Sequence, residues 1–342
     1  MTERSQLIDG LRVVAAHVIV LHHLASYGPL ASALEQAFPW FAGVLYDYGR
    51  LATQIFFVIA GYLAAHGLLL PRASSLGDRL AKRYLRLVPQ FLLAILGVAL
   101  VVTCLRPWID QDWLTEPPTV AQFAAHALLI QDLVGQPSMT VGAWYVAIDF
   151  QLFVVLNVLV WGLWRMGTRR ETVLVSIALL CLASQWHFNR DAEWDRWAIY
   201  FFESYGLGAL LAWALHSKEG GRSARSLLML CLFSAVAAGL VFPRPRLLLS
   251  VLVCLLLWWG MHRWQPSIRL SHWLHRHSDA SYSLFLTHFM PLVAANAIWI
   301  TWGGRSAAWG VALLVLTWGL CVPWSMMFHR LPSTMMRTAL RR

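Results

Sequence analysis

The chain has 342 residues, of which 58% are hydrophobic and 13% charged, and its mean hydropathy is +0.57. A soluble domain carries about 25% charged residues, so the composition excludes an ordinary soluble protein and indicates a membrane protein. The apolar stretches are continuous rather than alternating, which excludes a closed β-barrel. The net charge of +10 is typical of cationic loops at a membrane surface, and we expect no nucleic acid partner.

Ten apolar stretches are long enough to cross a bilayer as helices. They lie at about residues 7–27, 51–70, 85–105, 143–164, 171–188, 198–217, 226–242, 247–263, 281–301 and 307–328. The pattern predicts an all-α, polytopic membrane protein with about ten transmembrane helices around a central polar cavity. Residues 120–134 are too short and too polar to span, and predict an interfacial or re-entrant helix.

Loop charge predicts the topology. When loops alternate between the two sides, 19 Lys and Arg residues fall on one side and 7 on the other, with Arg12 inside a span. The positive-inside rule therefore predicts cytoplasmic termini and an even number of spans. No loop is long enough for a soluble domain, so we expect residues 1–342 to form one integral membrane domain. The first stretch lacks a small-residue cleavage site and predicts a retained helix.

The five cysteines all fall in apolar stretches: Cys104, Cys181, Cys231, Cys254 and Cys321. Their spacing matches neither a disulfide framework nor a zinc site. They are therefore interpreted as small apolar residues, and we expect no metal.

The first span, LIDGLRVVAAHVIVLHHL (residues 7–24), carries several ionisable residues, among them Arg12 and His23. A charge at the bilayer centre costs at least ~2.5–3.5 kcal/mol, so such groups usually face a protein cavity. Eleven helical steps bring Arg12 and His23 within ~20° of one face, about 16 Å apart along the axis. Asp9 and Arg12 are three residues apart and can pair. The alternative is that Arg12 snorkels to the inner interface and His23 caps the outer one.

The third span opens with LAKRYLRLVPQF, in which Arg83 and Arg86 share a helical face. Guanidinium forks suit phosphate groups, and a helix N-terminus at this point would add partial positive charge. The alternative is an ordinary positive-inside loop.

Two later spans also carry polar groups. Asp149 lies in AWYVAIDFQLFVVL, about two turns inside the predicted outer surface, and an intramembrane carboxylate is a functional candidate. Tyr282 and His288 lie in DASYSLFLTHFMPL, with His288 two turns deeper than Tyr282. For both segments, a structural role is the alternative.

Taken in order, these blocks resemble the acyltransferase 3 family of integral membrane acyltransferases, which modify bacterial cell-surface sugars. The matching blocks are DGLR with the Arg12–His23 spacing, QIFFVIAGYL, RYLR, AWYVAIDFQLF, GLGALLAW and SYSLFLTHFMP. The resemblance covers nearly the whole chain. Two positions depart from the family pattern: Ala60 stands where Ser is usual, and Asp149 stands where Glu is usual.

The resemblance implies transfer of an acyl group, usually acetyl, from cytoplasmic acyl-coenzyme A to a sugar hydroxyl at the outer face of the bacterial inner membrane. It implies His23 as general base and Asp149 as the group that orients or stabilises its imidazole, with His288 as a further catalytic candidate. Arg83, Arg86 and Tyr282 would bind coenzyme A. Arg12 would bind its phosphates or hold the pore.

Two other functions remain open from the sequence. A transporter or flippase of a glycan would use the same intramembrane charges, although no internal repeat is evident. A non-catalytic scaffold for polysaccharide assembly would not explain the polar groups inside the membrane. The acceptor remains open between exopolysaccharide, O-antigen and other lipid-linked saccharides, and membrane lipids and polysaccharide assembly proteins are the expected partners.

Overall fold

The structure is a computed structural model that describes residues 5–69, 75–217, 221–261, 263–264, 266–303 and 306–339. Within these ranges the regular structure is helical. The α-helices are α1 Gln6–Ser26, α2 Ala31–Ala37, α3 Pro39–Tyr48, α4 Thr53–Leu69, α5 Leu76–Leu105, α6 Val120–Ala127, α7 Ala143–Arg165, α8 Arg170–Trp186, α9 Ala198–His216, α10 Gly221–Val241, α11 Pro245–Gly260, α12 Ile268–Thr287, α13 Phe289–Ile298 and α14 Ala307–Ala339. The predicted all-α polytopic class is confirmed.

Eight helical segments in the described residues are long and apolar enough to cross a membrane, and the pair α12–α13 makes a ninth candidate with a bend of 52°. The remaining predicted span, 247–263, corresponds to α11, which is shorter at 16 residues. Sixteen residues rise about 24 Å, less than the ~30 Å hydrocarbon core. Residues 120–134 do not form a spanning helix, because α6 ends after 8 residues.

Three helices begin well before the predicted spans. The structure starts α5 at Leu76 rather than residue 85, α10 at Gly221 rather than 226, and α12 at Ile268 rather than 281. Each added segment is polar, and hydropathy detects only the part of a helix that suits lipid. The correction matters for Arg83, which lies two turns inside α5. The partial charge of a helix end acts within about one turn, so it does not act on Arg83.

The described chain divides into two compact units, and the prediction of a single domain over 1–342 stays a prediction. The first unit comprises residues up to 8, 53–86 and 145–265. In it α9 is almost wholly buried and packs against α4, α8, α10 and α11. A Cβ atom at Gly61 would strike the carbonyl oxygen of Tyr205, and one at Gly208 would strike that of Val58. Small residues thus let α4 and α9 cross at close range.

The second unit comprises residues 9–52, 87–144 and 266–342. In it α12 packs along α14, and α14 also contacts α2. The chain leaves α1 through a turn at Gly28, whose φ of 76° favours glycine. The buried Asn296 amide holds this turn, since it accepts a hydrogen bond from the Leu30 N–H at 2.9 Å and donates one to the Tyr27 carbonyl at 3.3 Å. These contacts fix the end of α1 against α13.

Candidate active site

His23 and His288 meet in the second unit. His23 lies in the last turn of α1, and His288 occupies the break between α12 and α13. The Nδ1 atom of His23 lies 2.9 Å from the Nε2 atom of His288, and the two rings are inclined by 20°. His288 is 1% exposed, whereas His23 is partly exposed. His23 is therefore the member of the pair that a substrate can reach.

The hydrogen-bond partners assign the tautomers of this pair. The Nδ1 atom of His288 lies 3.1 Å from the carbonyl oxygen of Leu284. A carbonyl can only accept, so Nδ1 of His288 carries its hydrogen and Nε2 carries a lone pair. That lone pair accepts the hydrogen on Nδ1 of His23. In the neutral pair, Nε2 of His23 is consequently left with a free lone pair, which a general base requires.

The neighbouring histidine has a different role. His22 donates from Nδ1 to the Leu45 carbonyl at 2.8 Å and so ties α1 to α3. Just beyond α1, the Tyr27 hydroxyl donates to the Trp113 carbonyl at 2.5 Å. Burial raises the pKa of the Tyr27 hydroxyl, which keeps it a donor. Both bonds anchor the segment that carries His23.

The polar start of α1 is tied to α12. Asp9 is 3% exposed, accepts a hydrogen bond from the Ser278 hydroxyl at 2.7 Å and lies 3.6 Å from Nδ1 of His275. Arg12 is partly exposed. Tyr282, on the same helix α12, donates its hydroxyl to the Leu87 carbonyl at 3.1 Å. The Tyr282 hydroxyl is therefore already engaged in a structural hydrogen bond.

In the first unit, the structure brings Arg83 and Asp149 together. Nη2 of Arg83 lies 2.5 Å from Oδ2 of Asp149, with the two side chains 23% and 4% exposed. The guanidinium also stacks over the Phe153 ring at 5.3 Å. Arg86 and Lys82, on the same helix, are exposed. The pair is neutral overall, which makes a carboxylate in a membrane helix tolerable.

The sequence prediction linked Asp149 with His23, and linked Arg83 with Arg86 at an open helix start. In the structure Asp149 is paired with Arg83 within the first unit, and His23 with His288 within the second. Loss of Arg83 would leave Asp149 with a buried charge, because its side chain is 4% exposed. The roles of Asp149, Arg83, Arg86 and Arg12 in catalysis or binding stay predictions.

Two polar residues of α9 were missed. Tyr205 is fully buried. Glu203 is 1% exposed and accepts a hydrogen bond from Ser204 at 2.7 Å. The signal was in the sequence: an ionisable residue within a 19-residue apolar helix is a functional candidate.

Comparison with known proteins identifies the family. A model of the acyltransferase 3 family, described as an acyltransferase domain, matches residues 6–328. A Bacillus subtilis (strain 168) protein named "Putative peptidoglycan O-acetyltransferase YrhL" is 23% identical over 365 residues, which cover 94% of this chain and 53% of that protein. This chain thus spans about half the length of that relative. No solved structure matches. The chain belongs to the acyltransferase 3 family and is a multi-pass membrane protein.

Proposed function

We propose that this membrane acyltransferase transfers an acyl group, with acetyl as the first candidate, from cytoplasmic acyl-coenzyme A to a hydroxyl of a cell-surface glycan or lipid-linked sugar. The observation that supports this proposal is the His23–His288 pair. The pair lies within residues 6–328, which match the family model, and it leaves Nε2 of His23 with a lone pair that can accept a proton. The name of the Bacillus relative supports a sugar hydroxyl as acceptor.

In the proposed reaction, Nε2 of His23 accepts the proton of the acceptor hydroxyl as its oxygen attacks the thioester carbonyl carbon. General base catalysis of this kind typically contributes 10²–10⁴-fold. The carbon–sulfur bond then breaks, and the departing thiolate takes the proton back from the imidazolium. The products are the sugar ester and free coenzyme A, and His23 is neutral again.

His288 is the positioning residue in this proposal. It accepts the hydrogen on Nδ1 of His23, and this bond strengthens when His23 becomes positively charged during transfer. The Leu284 carbonyl fixes His288 in turn. The buried partner thus plays the part that a carboxylate plays in a serine protease triad, without adding a net charge inside the membrane.

For the donor, we propose that exposed cations of α5, Lys82 and Arg86, meet the coenzyme A phosphates. Arg83 keeps its proposed role in binding coenzyme A and is itself paired with Asp149. Arg12 keeps its two proposed roles, phosphate binding or support of the pore, and Tyr282 is proposed to line the donor path. Polysaccharide assembly proteins are proposed partners.

The bacterial inner membrane, with both termini cytoplasmic, remains the proposed location. The loop charge asymmetry of 19 to 7 supports it. Residue 342 lies outside the described residues. A cysteine placed there is expected to react with an impermeant reagent only in permeabilised cells, and labelling of intact cells would contradict this topology.

The test is acetyl transfer by purified protein from acetyl-coenzyme A to a defined lipid-linked sugar. We expect wild type to release coenzyme A and form an ester, and His23→Gln to do neither while remaining folded, because glutamine cannot take up a proton at working pH. His22→Gln is the matched control and should retain activity, because a glutamine amide can still donate to the Leu45 carbonyl that His22 bonds. Sugar movement without thioester consumption would indicate a transporter, and an active His23→Gln would remove His23 as base.

A further inference from the structure

Three arginines, here called the arginine cluster, gather at one end of the first unit. Arg190 lies in the loop between α8 and α9, Arg244 immediately precedes α11, and Arg246 lies in the first turn of α11. They are three of the seven Lys and Arg residues that loop charge assigns to the outer side. The outer side usually carries few such residues, so three in one place need an explanation.

Phe242 holds two members of the cluster. The guanidinium carbons of Arg190 and Arg244 lie 4.0 and 5.7 Å from the centre of its ring. Arg244 is also fixed to the residue before Arg190, because its Nη1 atom donates to Oδ1 of Asn189 at 3.0 Å. These contacts place the two cations beside one ring.

Tyr200 holds the third member. The guanidinium carbon of Arg246 lies 4.8 Å from the centre of the Tyr200 ring, and its Nη1 atom donates to the Tyr200 hydroxyl. The carbonyl of the same tyrosine accepts a hydrogen bond from Nδ2 of Asn189 at 2.9 Å. Asn189 thus links Arg244 on one side to the tyrosine that carries Arg246 on the other.

The cluster has no carboxylate partner in the described part of the chain. The exposed acids of the α8–α9 loop are Asp191, Glu193 and Asp195. The ion pairs found among the described residues join none of these acids to the cluster. Glu203 of α9 is buried and bonds Ser204 at 2.7 Å instead. Burial and the nearby cations Arg246 and Arg190 lower the pKa of Arg244. An anion bound here would relieve the repulsion between these cations.

The cluster also has hydrogen-bond donors to spare. A guanidinium carries five N–H groups. In the described structure Arg244 uses three of them for neighbouring oxygens. Arg246 uses one, and no side-chain hydrogen bond is made by Arg190. Arg190 is exposed, and the nitrogens of Arg246 that lack a partner are not buried. A ligand can therefore reach unused N–H groups from the outside.

We propose that the arginine cluster binds the phosphate group of a lipid in the outer leaflet. Guanidinium forks donate paired hydrogen bonds to phosphate, and a phosphate offers oxygens to several forks, whereas a carboxylate offers only two oxygens. The cluster lies where α8 and α10 end and α11 begins, which suits the headgroup region that flanks the hydrocarbon core.

Two kinds of lipid carry such a group. One is the lipid-linked sugar of the proposed function, whose phosphate joins the sugar to its lipid. The other is an anionic phospholipid of the membrane. Both present the same oxygens to the cluster, so the test separates them. The first source rests on the proposed function, and the outer position rests on the proposed topology.

The test measures lipid binding to the purified full-length protein in a non-ionic detergent, by native mass spectrometry. Farnesyl phosphate is the probe, and farnesol, which has the same chain without the phosphate, is its control. A second arm uses dioctanoyl phosphatidylglycerol, an anionic phosphodiester. No acyl-coenzyme A is present, so the result does not depend on acyl transfer.

We expect farnesyl phosphate to bind wild type about tenfold more tightly than farnesol. Arg190→Gln should weaken farnesyl phosphate about fivefold, the upper end for an exposed ion pair, and leave farnesol unchanged. This variant should fold as wild type does, because Arg190 is exposed and makes no side-chain hydrogen bond in the described structure. Arg190→Lys should recover part of the loss, since it keeps the charge without the fork.

Arg196→Gln is the matched control. It removes one positive charge from the same loop, at an exposed side chain that bonds the Glu193 carbonyl at 3.4 Å and lies outside the cluster. Farnesyl phosphate should bind it as tightly as wild type. Equal losses in Arg190→Gln and Arg196→Gln would reduce the effect to general charge and overturn the site. Equal binding of farnesyl phosphate and farnesol to wild type would also overturn it.

The second arm identifies the source of the phosphate. If farnesyl phosphate binds more tightly than phosphatidylglycerol, and both depend on Arg190, the site is assigned to the lipid-linked sugar. The reverse order, with the same dependence, assigns it to a phospholipid headgroup. A protein that binds the phosphate but consumes no acetyl-coenzyme A would refute the proposed function and leave the phosphate site standing. An active protein without phosphate preference would refute the site alone.

Discussion

Replacing Arg83 should lower the free energy of unfolding more than replacing Arg86 does, although the two residues share one helix. Arg83→Met removes the partner of Asp149, whose side chain is 4% exposed and whose second oxygen already lacks a hydrogen bond. The variant therefore leaves a buried carboxylate with neither oxygen bonded. Breaking a buried pair in this way typically costs about 3–5 kcal/mol.

The double variant Arg83→Met with Asp149→Leu tests the origin of that loss. With both charges gone, no buried charge remains, and apolar replacement of a buried pair is often neutral or stabilising. We therefore expect the double variant to recover most of the stability lost in the single one. Arg86→Met is the matched control, since an exposed substitution usually changes stability by less than about 0.5 kcal/mol.

The assay is the free energy of unfolding in a mild detergent, titrated with a denaturing detergent and followed by the loss of helical signal. Acetyl transfer is measured in parallel, so that loss of activity can be compared with loss of stability in each variant. If Arg83→Met and Arg86→Met unfold together, the Arg83–Asp149 pair does not stabilise the protein, and the reasoning from its burial is refuted.

Three further predictions concern other positions. Replacing His288 by Phe should lower kcat about 10²-fold with little change in KM, because the tautomer and orientation of His23 are no longer fixed; equal kcat in variant and wild type would remove His288 as a positioning residue. Burial lowers the pKa of His126 below 6.5, so the folded state binds fewer protons than the unfolded state. The free energy of unfolding should therefore fall as the pH drops from 6.5 towards the folded pKa. The loss is measured against His126→Gln, which does not titrate, and identical pH curves for the two proteins would contradict the prediction. Gly61→Ala should destabilise by about 1–3 kcal/mol because its Cβ strikes α9, whereas Gly67→Ala on the same helix meets nothing within 4 Å and should stabilise by up to about 1 kcal/mol; matching effects on thermal unfolding would argue against a close crossing.

Most of the fold was predictable from the sequence because a helix that crosses a lipid bilayer must be apolar over a defined length. The apolar length of a helix can be read from hydropathy, and α7 and α9 begin where predicted, at residues 143 and 198. The polar start of α12 was not predictable in this way, since IRLSHWLHRHSD has no apolar run to detect. The short helices α2 and α3 were missed because they precede the second span and are too short to cross.

The site residues were predicted better than their partners. An ionisable group in an apolar stretch is costly and therefore marks a functional candidate. This identified Arg83, Asp149, His23 and His288. Which of them meet is a question of tertiary structure: Arg83 and Asp149 are 66 positions apart in sequence, and His23 and His288 are 265 apart. Motif order brings neither pair together, so the sequence paired Asp149 with the histidine on chemical grounds alone.

The two pairs solve the same electrostatic problem in different ways, and the difference bears on catalysis. The opposite charges of Arg83 and Asp149 neutralise each other, so both residues can stay charged within the membrane. Neither residue can then be lost without leaving the other as a buried, unpaired charge. His23 and His288 are joined by a hydrogen bond that both rings can make while neutral. A charge need arise there only while the acceptor proton resides on His23, and Nε2 of His288 is already in place to accept from the charged ring. An orienting carboxylate at that position would put a permanent negative charge beside His23, whereas a second histidine provides an acceptor without one. That is a physical reason for a histidine, rather than an acid, to hold the proposed base at the break between α12 and α13.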